Sequence, residues 1–145
     1  MSVRENIASN LLTVISNISS PAIKKATRQP FLLDELSEQQ YPAVMVQTSE
    51  ENRDDSELGS GARTRHGTID FVVLGFVKGA ESNIDTLRNA LITAIETAIE
   101  TDITRDSNAL DSEVIQVETD EGSLFPVGGI KMTIRCMYEY QAGTP

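Results

Sequence analysis

The sequence predicts an α+β domain with the element order α-β-β-β-α-β-β, in which a mostly antiparallel sheet carries two main helices packed on one face. Three observations predict it. Residues 2–19 and 83–102 repeat apolar side chains at steps of three and four, the signature of a helix with one buried stripe. Ile130, Met132, Ile134, Cys136, Tyr138 and Tyr140 alternate with polar neighbours, as a half-buried antiparallel strand requires. Between the helical stretches, residues 67–78 form a run too apolar and β-branched for anything but a strand. A length of 145 residues fits a single domain spanning 1–145.

The first helix opens on Ser2 and Glu5, spaced as a capping box, and carries Val3, Ile7, Leu11, Val14, Ile15 and Ile18 before Ser19, Ser20 and Pro21 stop it. A short strand is expected from Ile23 to Arg28. Pro30 breaks it, and Phe31, Leu32, Leu33 and Leu36 suggest one or two helical turns. Pro42 opens a strand at 43–48, a position where proline is tolerated. Residues 49–66 contain only Leu58 and Ala62 as apolar members, with acids at 50–57 and bases at Arg63 and Arg65. So polar a stretch buries too little to offset its ordering entropy, and a mobile loop or hairpin tip is expected. The strand from Gly67 to Lys78 places Ile69, Phe71 and Val73 on one face. Thr68 and Asp70 begin the other face, and Val72, Leu74 and Phe76 finish it. A strand apolar on both faces is covered on both, by a second layer or by another subunit. Ser82, Asn83 and Asp85 offer caps for the second helix, whose stripe is Ile84, Leu87, Leu91, Ile95 and Ile99. A strand is expected at 112–119, a turn at Asp120, Glu121 and Gly122, and the alternating strand then closes the sheet.

Composition excludes several functions. Lys and Arg total 12 against 22 Asp and Glu, a formal net charge of −10. Such a chain is no autonomous nucleic-acid binder held by phosphate contacts, and it is a poor match for an anionic membrane. The longest apolar stretch, Phe71 to Val77, is too short to span a bilayer. Arg4, Glu5 and Asn10 interrupt the first apolar positions, so no signal peptide is expected. The single cysteine, Cys136, forbids an intramolecular disulfide and a cysteine-based zinc site.

No catalytic constellation emerges. His66 is the sole histidine and would have to serve as the base of any Ser-His-Asp or Cys-His arrangement. It stands where polar loop meets strand, and reads as a surface or interface residue. Cys136, on the apolar phase of its strand, reads as a buried, inert thiol. Gly59, Ser60 and Gly61 lack the third glycine and the preceding strand of a phosphate loop. Asp106, Asn108 and Asp111 resemble a calcium loop, but Leu110 takes a ligand position and no glycine follows, so a helix-to-strand connection is expected. The acid pairs at Asp54 and Asp55 and at Glu118, Asp120 and Glu121 lie in turn-like sequence and read as solvated. No metal or cofactor is expected.

The ordered segments Gln29-Pro30-Phe31 with Leu36, Tyr41-Pro42-Ala43-Val44, Gly67 to Val73 with Gly75 to Gly79, Leu87 to Leu91, Asn108 to Asp111, Val117 to Gly122 with Leu124-Phe125-Pro126, and Tyr138-Glu139-Tyr140 resemble the lambda-type tail terminator (minor tail protein) family of bacteriophages over roughly residues 3–141. The resemblance implies a structural virion protein without enzymatic activity. It would be made in the host bacterial cytoplasm and placed at the tail–neck junction. There a ring, usually of six copies, caps the tail tube, ends its polymerisation and presents a surface to the head-completion or connector protein. DNA would pass through the lumen of an acidic ring without specific binding.

A closed ring needs a heterologous interface, one patch meeting a different one. Candidate subunit or tube contacts are Val72, Leu74 and Phe76; Phe31, Leu33 and Leu36; Leu124 and Phe125; and Arg63, Arg65 and His66 at the end of the polar loop. The apolar patches are equally compatible with ordinary core. On this reading the loop at 49–66 orders on docking, and deleting 50–62 leaves the fold intact while impairing tail assembly. The alternatives are another neck or head–tail connector ring, a small enzyme using His66 with nearby carboxylates, and a cellular acidic adaptor.

Overall fold

The computed structural model describes residues 2–55 and 64–143, and the element order is the expected one. Helix α1 spans Val3–Ser16, strand β1 Lys25–Thr27, β2 Ala43–Asp55 and β3 Thr64–Lys78. Helix α2 spans Ile84–Thr101, β4 Asp111–Thr119 and β5 Val127–Gln141. Two single 3₁₀ turns, Leu33–Glu35 and Glu38–Gln40, lie between β1 and β2. The five strands form one mixed sheet in the order β1-β2-β3-β5-β4. β1 runs parallel to β2, and the other pairings are antiparallel.

One face of this sheet is the core face. Ile69, Phe71, Val73 and Val77 of β3 and Ile130, Met132, Ile134, Cys136, Tyr138 and Tyr140 of β5 are buried there. Val44 and Val46 of β2 join them. Against them pack Ile7, Leu11 and Ile15 from α1 and Leu91, Ile95 and Ile99 from α2. Helix α1 lies over β1 and β2, and α2 over β3, β5 and β4. Gly67 is needed where it stands: a Cβ there would come 2.5 Å from the Tyr138 ring. Among the described residues no helix is long and apolar enough to cross a membrane.

The differences from the sequence reading have local causes. Helix α1 ends at Ser16, not Ser19, and Ile18 packs against the core from outside the helix. The chain has already turned by then, as the Ser19–Ala22 bridge shows. The capping box is half made: Ser2 Oγ accepts from the Glu5 N–H at 3.2 Å, but the Glu5 carboxylate turns to the Arg28 guanidinium and holds α1 to the end of β1. On α2 the Asn83 side chain caps nothing; its Oδ1 accepts from the N–H of Ala80 at 2.9 Å.

The largest correction concerns 49–66. β2 continues as strand to Asp55, past a bulge between Thr48 and Glu51, and β3 is strand from Thr64. Polar residues hold this extension together. The Glu51 side chain is 7% exposed, faces Arg4 at 3.4 Å, pairs with Arg53, and accepts from the Tyr138 hydroxyl at 2.9 Å. Arg53 lies over the Tyr140 ring, 4.9 Å from its centre. Residues 56–63, including Arg63 and the Gly59–Gly61 motif, lie outside the described residues.

Candidate assembly surface

Among the described residues, the second face of the sheet has no helix on it. Val72, Leu74 and Phe76 are half-buried there, not enclosed. Their register partners on β2 are Gln47, Met45 and Ala43, and on β5 Thr133, Lys131 and Gly129. The expected cover on this face is supplied at one end by the chain itself. Phe31 packs edge-on against Phe76, with ring centres 5.9 Å apart, and the Lys25 ammonium lies 5.2 Å from the Phe31 ring. Leu33 and Leu36 are half-buried in the same strap, and Leu32, just before them, is exposed. Toward the centre the face turns polar, with Arg135 donating to Asp70 through two bonds of 2.9 and 3.1 Å.

Leu124 and Phe125 sit exposed on the turn between β4 and β5. The turn is braced from beneath. Arg88, the buried cation of α2, pairs with both Asp85 and Asp120. Asp120 Oδ2 accepts the Leu124 N–H at 3.0 Å. Burial works against its charge, yet the Leu124 N–H and the Arg88 guanidinium hold the Asp120 carboxyl below the ordinary carboxylate range. Gly128 lets the Arg88 stem pass, since a Cβ there would come 2.8 Å from Arg88 Cγ. A groove of about 180 Å³ brings Leu74, Phe76 and Leu124 together, with Glu118, Asp120 and Lys131 on its wall.

The remaining candidates lie elsewhere. Arg65 and His66 are at the far end of β3, paired in register with Asp55 and Asp54 on β2 and with Tyr140 and Glu139 on β5. His66 Nε2 is 2.7 Å from a Glu139 oxygen, a cross-strand pair on a solvated face. Among the described residues no group of His, Cys, Asp and Glu could hold a metal ion. Cys136 is fully buried, and burial pushes its thiol pKa up. The segment resembling a calcium loop is a connection built on Asp102, which accepts from the N–H groups of Thr104 and Asp106. With the Thr104 hydroxyl donating as well, the Asp102 pKa falls to about 2. Arg105, fully buried, donates to the carbonyls of Ile99 and Asp102 at the end of α2.

Sequence reasoning missed Ile103, Leu110, Ile115, Val117 and Met137, all exposed. The available signal was in β4: Val114, Ile115 and Val117 cannot all share one face of a regular strand, so one of them had to point outward.

No protein-family model matches the chain, and no curated protein sequence does. A solved structure similar to it is a chain from the virion of a native gene transfer agent particle. The two share 11% identity with a TM-score of 0.46, over 96% of this chain and 92% of that one.

Proposed function

We propose that the chain is a structural protein of a phage-like virion which closes into a ring, six-fold by the family resemblance, on the end of a tail tube. The ring stops tube growth and offers its other side to a head-completion or connector protein. The observation that carries the reading is the one-sided covering of the sheet. Both helices pack on one face, while Val72, Leu74 and Phe76 remain half-buried on the other, beside the exposed Leu124 and Phe125. A protein that works by repetition around an axis needs apolar area left over after its own core is complete. The formal charge of −10 suits a lumen that lets DNA slide past without holding it.

The test is electron microscopy of lysates from host cells making all particle proteins except this one. Overlong tail-tube polymers are expected. Tails of normal length that fail to join heads would overturn tail capping and assign the ring to the neck or connector instead. His66→Ala is expected to leave particle yield unchanged, since the imidazole pairs with Glu139 across two strands on a solvated face. Loss of an enzymatic activity from that variant would defeat the structural reading.

A further inference from the structure

We infer that successive copies of this chain join edge to edge, the β4 edge of one copy meeting the β1 edge of the next, with acidic and apolar groups on the first fitting basic and apolar groups on the second. The inference rests on the ring reading and deepens it by identifying the surfaces that meet.

The two edges of the sheet differ. Along β4 and the turn that leaves it stand Ile115, Val117, Leu124 and Phe125, and Leu110 and Met137 meet beside its first residue through the Leu110 N–H to Met137 carbonyl bond of 2.6 Å. These exposed apolar side chains accompany Glu113, Glu118 and Glu121, all exposed. The opposite edge is basic: Lys24, Lys25 and Arg28 fall within five residues around β1, in a chain with only 12 Lys and Arg. Exposed Leu32 lies there too, next to the Phe31 ring that Lys25 overlies.

Register places these groups at neighbouring heights. One row across the sheet runs Ala26, Val44, Gly75, Ile130, Thr119. The next runs Thr27, Met45, Leu74, Lys131, Glu118. On the other side Lys25, Ala43, Phe76 and Gly129 form a row that ends at Asp120, whose N–H donates to the Gly129 carbonyl at 3.0 Å. A neighbour set alongside without sliding therefore brings Thr27 opposite Glu118 and Lys25 opposite Asp120, with Lys24 beside Glu121 and Glu118 two residues along from Lys25 on the same face. Cross-strand partners share a face, so Lys25 and Glu118 both project on the side away from the helices. Strand direction agrees as well. β4 runs antiparallel to β5, and β5 runs parallel to β2 and β1, so copies in the same orientation present β4 and β1 to each other as antiparallel neighbours. Unlike edges in contact make a heterologous interface, the kind that closes into a ring when the rotation per copy permits. Exposed edge strands invite such joining.

The experiment is sedimentation of the full-length chain over a wide concentration range, with thermal melts to verify folding. Wild type is expected to assemble. Lys24→Glu with Lys25→Glu, and separately Glu118→Lys with Glu121→Lys, are each expected to weaken assembly by about tenfold or more, because like charges then face each other. The chain carrying all four changes is expected to reassemble. A second readout uses disulfide trapping. Thr27→Cys and Glu118→Cys chains, the pair that register sets at one height, should form a heterodimer when mixed and oxidised, over little background, since Cys136 is buried. Wild-type assembly that neither pair disturbs, with no trapped heterodimer, overturns the edge assignment and leaves the ring standing. A wild type that stays monomeric at every concentration, with no trapped heterodimer, overturns the ring as well.

Discussion

Tyr138 shows how much of this chain's polar chemistry is structural. Its ring is fully buried under Gly67, and its hydroxyl donates to the buried Glu51 carboxylate. Burial and that hydrogen bond to an acceptor push the phenol pKa up to about 12. Unfolded, the phenol titrates near 10, so between pH 10 and 12 the unfolded chain releases a proton that the folded chain keeps. The stabilisation from keeping Tyr138 neutral is thus complete below pH 10 and is lost as pH rises toward 12. In urea titrations the midpoint of the wild type is expected to fall across that window more steeply than that of Tyr138→Phe. Parallel pH profiles for the two would show that the hydroxyl does not carry the effect.

The β4–β5 turn is an element whose shape depends on a residue from another. Asp120 receives the Arg88 guanidinium from α2 and the Leu124 N–H from its own turn. Asp120→Ala strips Arg88 of one carboxylate and leaves that N–H unpaired, a loss of about 1–3 kcal/mol for groups of this burial. Amide exchange over residues 122–127 is expected to quicken by about tenfold or more, while the core amides of β5 quicken much less. Uniform acceleration along the whole chain would instead mark Asp120 as a general stability residue. The hairpin arm makes the complementary case. A deletion of 50–62, neutral to the fold on a sequence reading, removes Glu51 and Arg53 together, and with them the partner of Arg4 and Tyr138 and the cation over the Tyr140 ring. That deletion is now expected to lower the melting temperature. A deletion confined to 56–63, bridged by a short turn, is expected to leave it nearly unchanged.

The molecule is a two-layer structure with a third side left open, and its stability should follow that asymmetry. Ile95 is fully enclosed between α2 and the sheet, so Ile95→Ala is expected to cost about 2–5 kcal/mol by lost transfer energy and the cavity left behind. Val72 is half-buried on the uncovered face, and Val72→Ala in the isolated chain is expected to cost about 1 kcal/mol or less. Comparable costs in denaturant melts of the isolated chain would mean that the open face is closed by something in that chain.

Local regularities carried the fold. The stripe of α2, the alternation of β5 and the two-faced character of β3 are properties of consecutive residues, since helix and strand periods are set by backbone geometry alone. They were enough to place every main element, to keep Cys136 inside and to put Phe31, Leu124 and Phe125 among the residues of interest. The arm of β2 escaped that logic. Its strand residues are polar because their partners are polar, and the Glu51 side chain is buried against Arg53 two residues along and against Arg4 and Tyr138 from two distant places in the chain. The same holds for the two edges. Nothing in the neighbourhood of Thr27 along the chain points to Glu118, and they acquire a common height only when four strand pairings are stacked between them. Contacts between residues distant in sequence leave no periodic trace, because the chain between them is free to vary. They come into being only when the sheet forms.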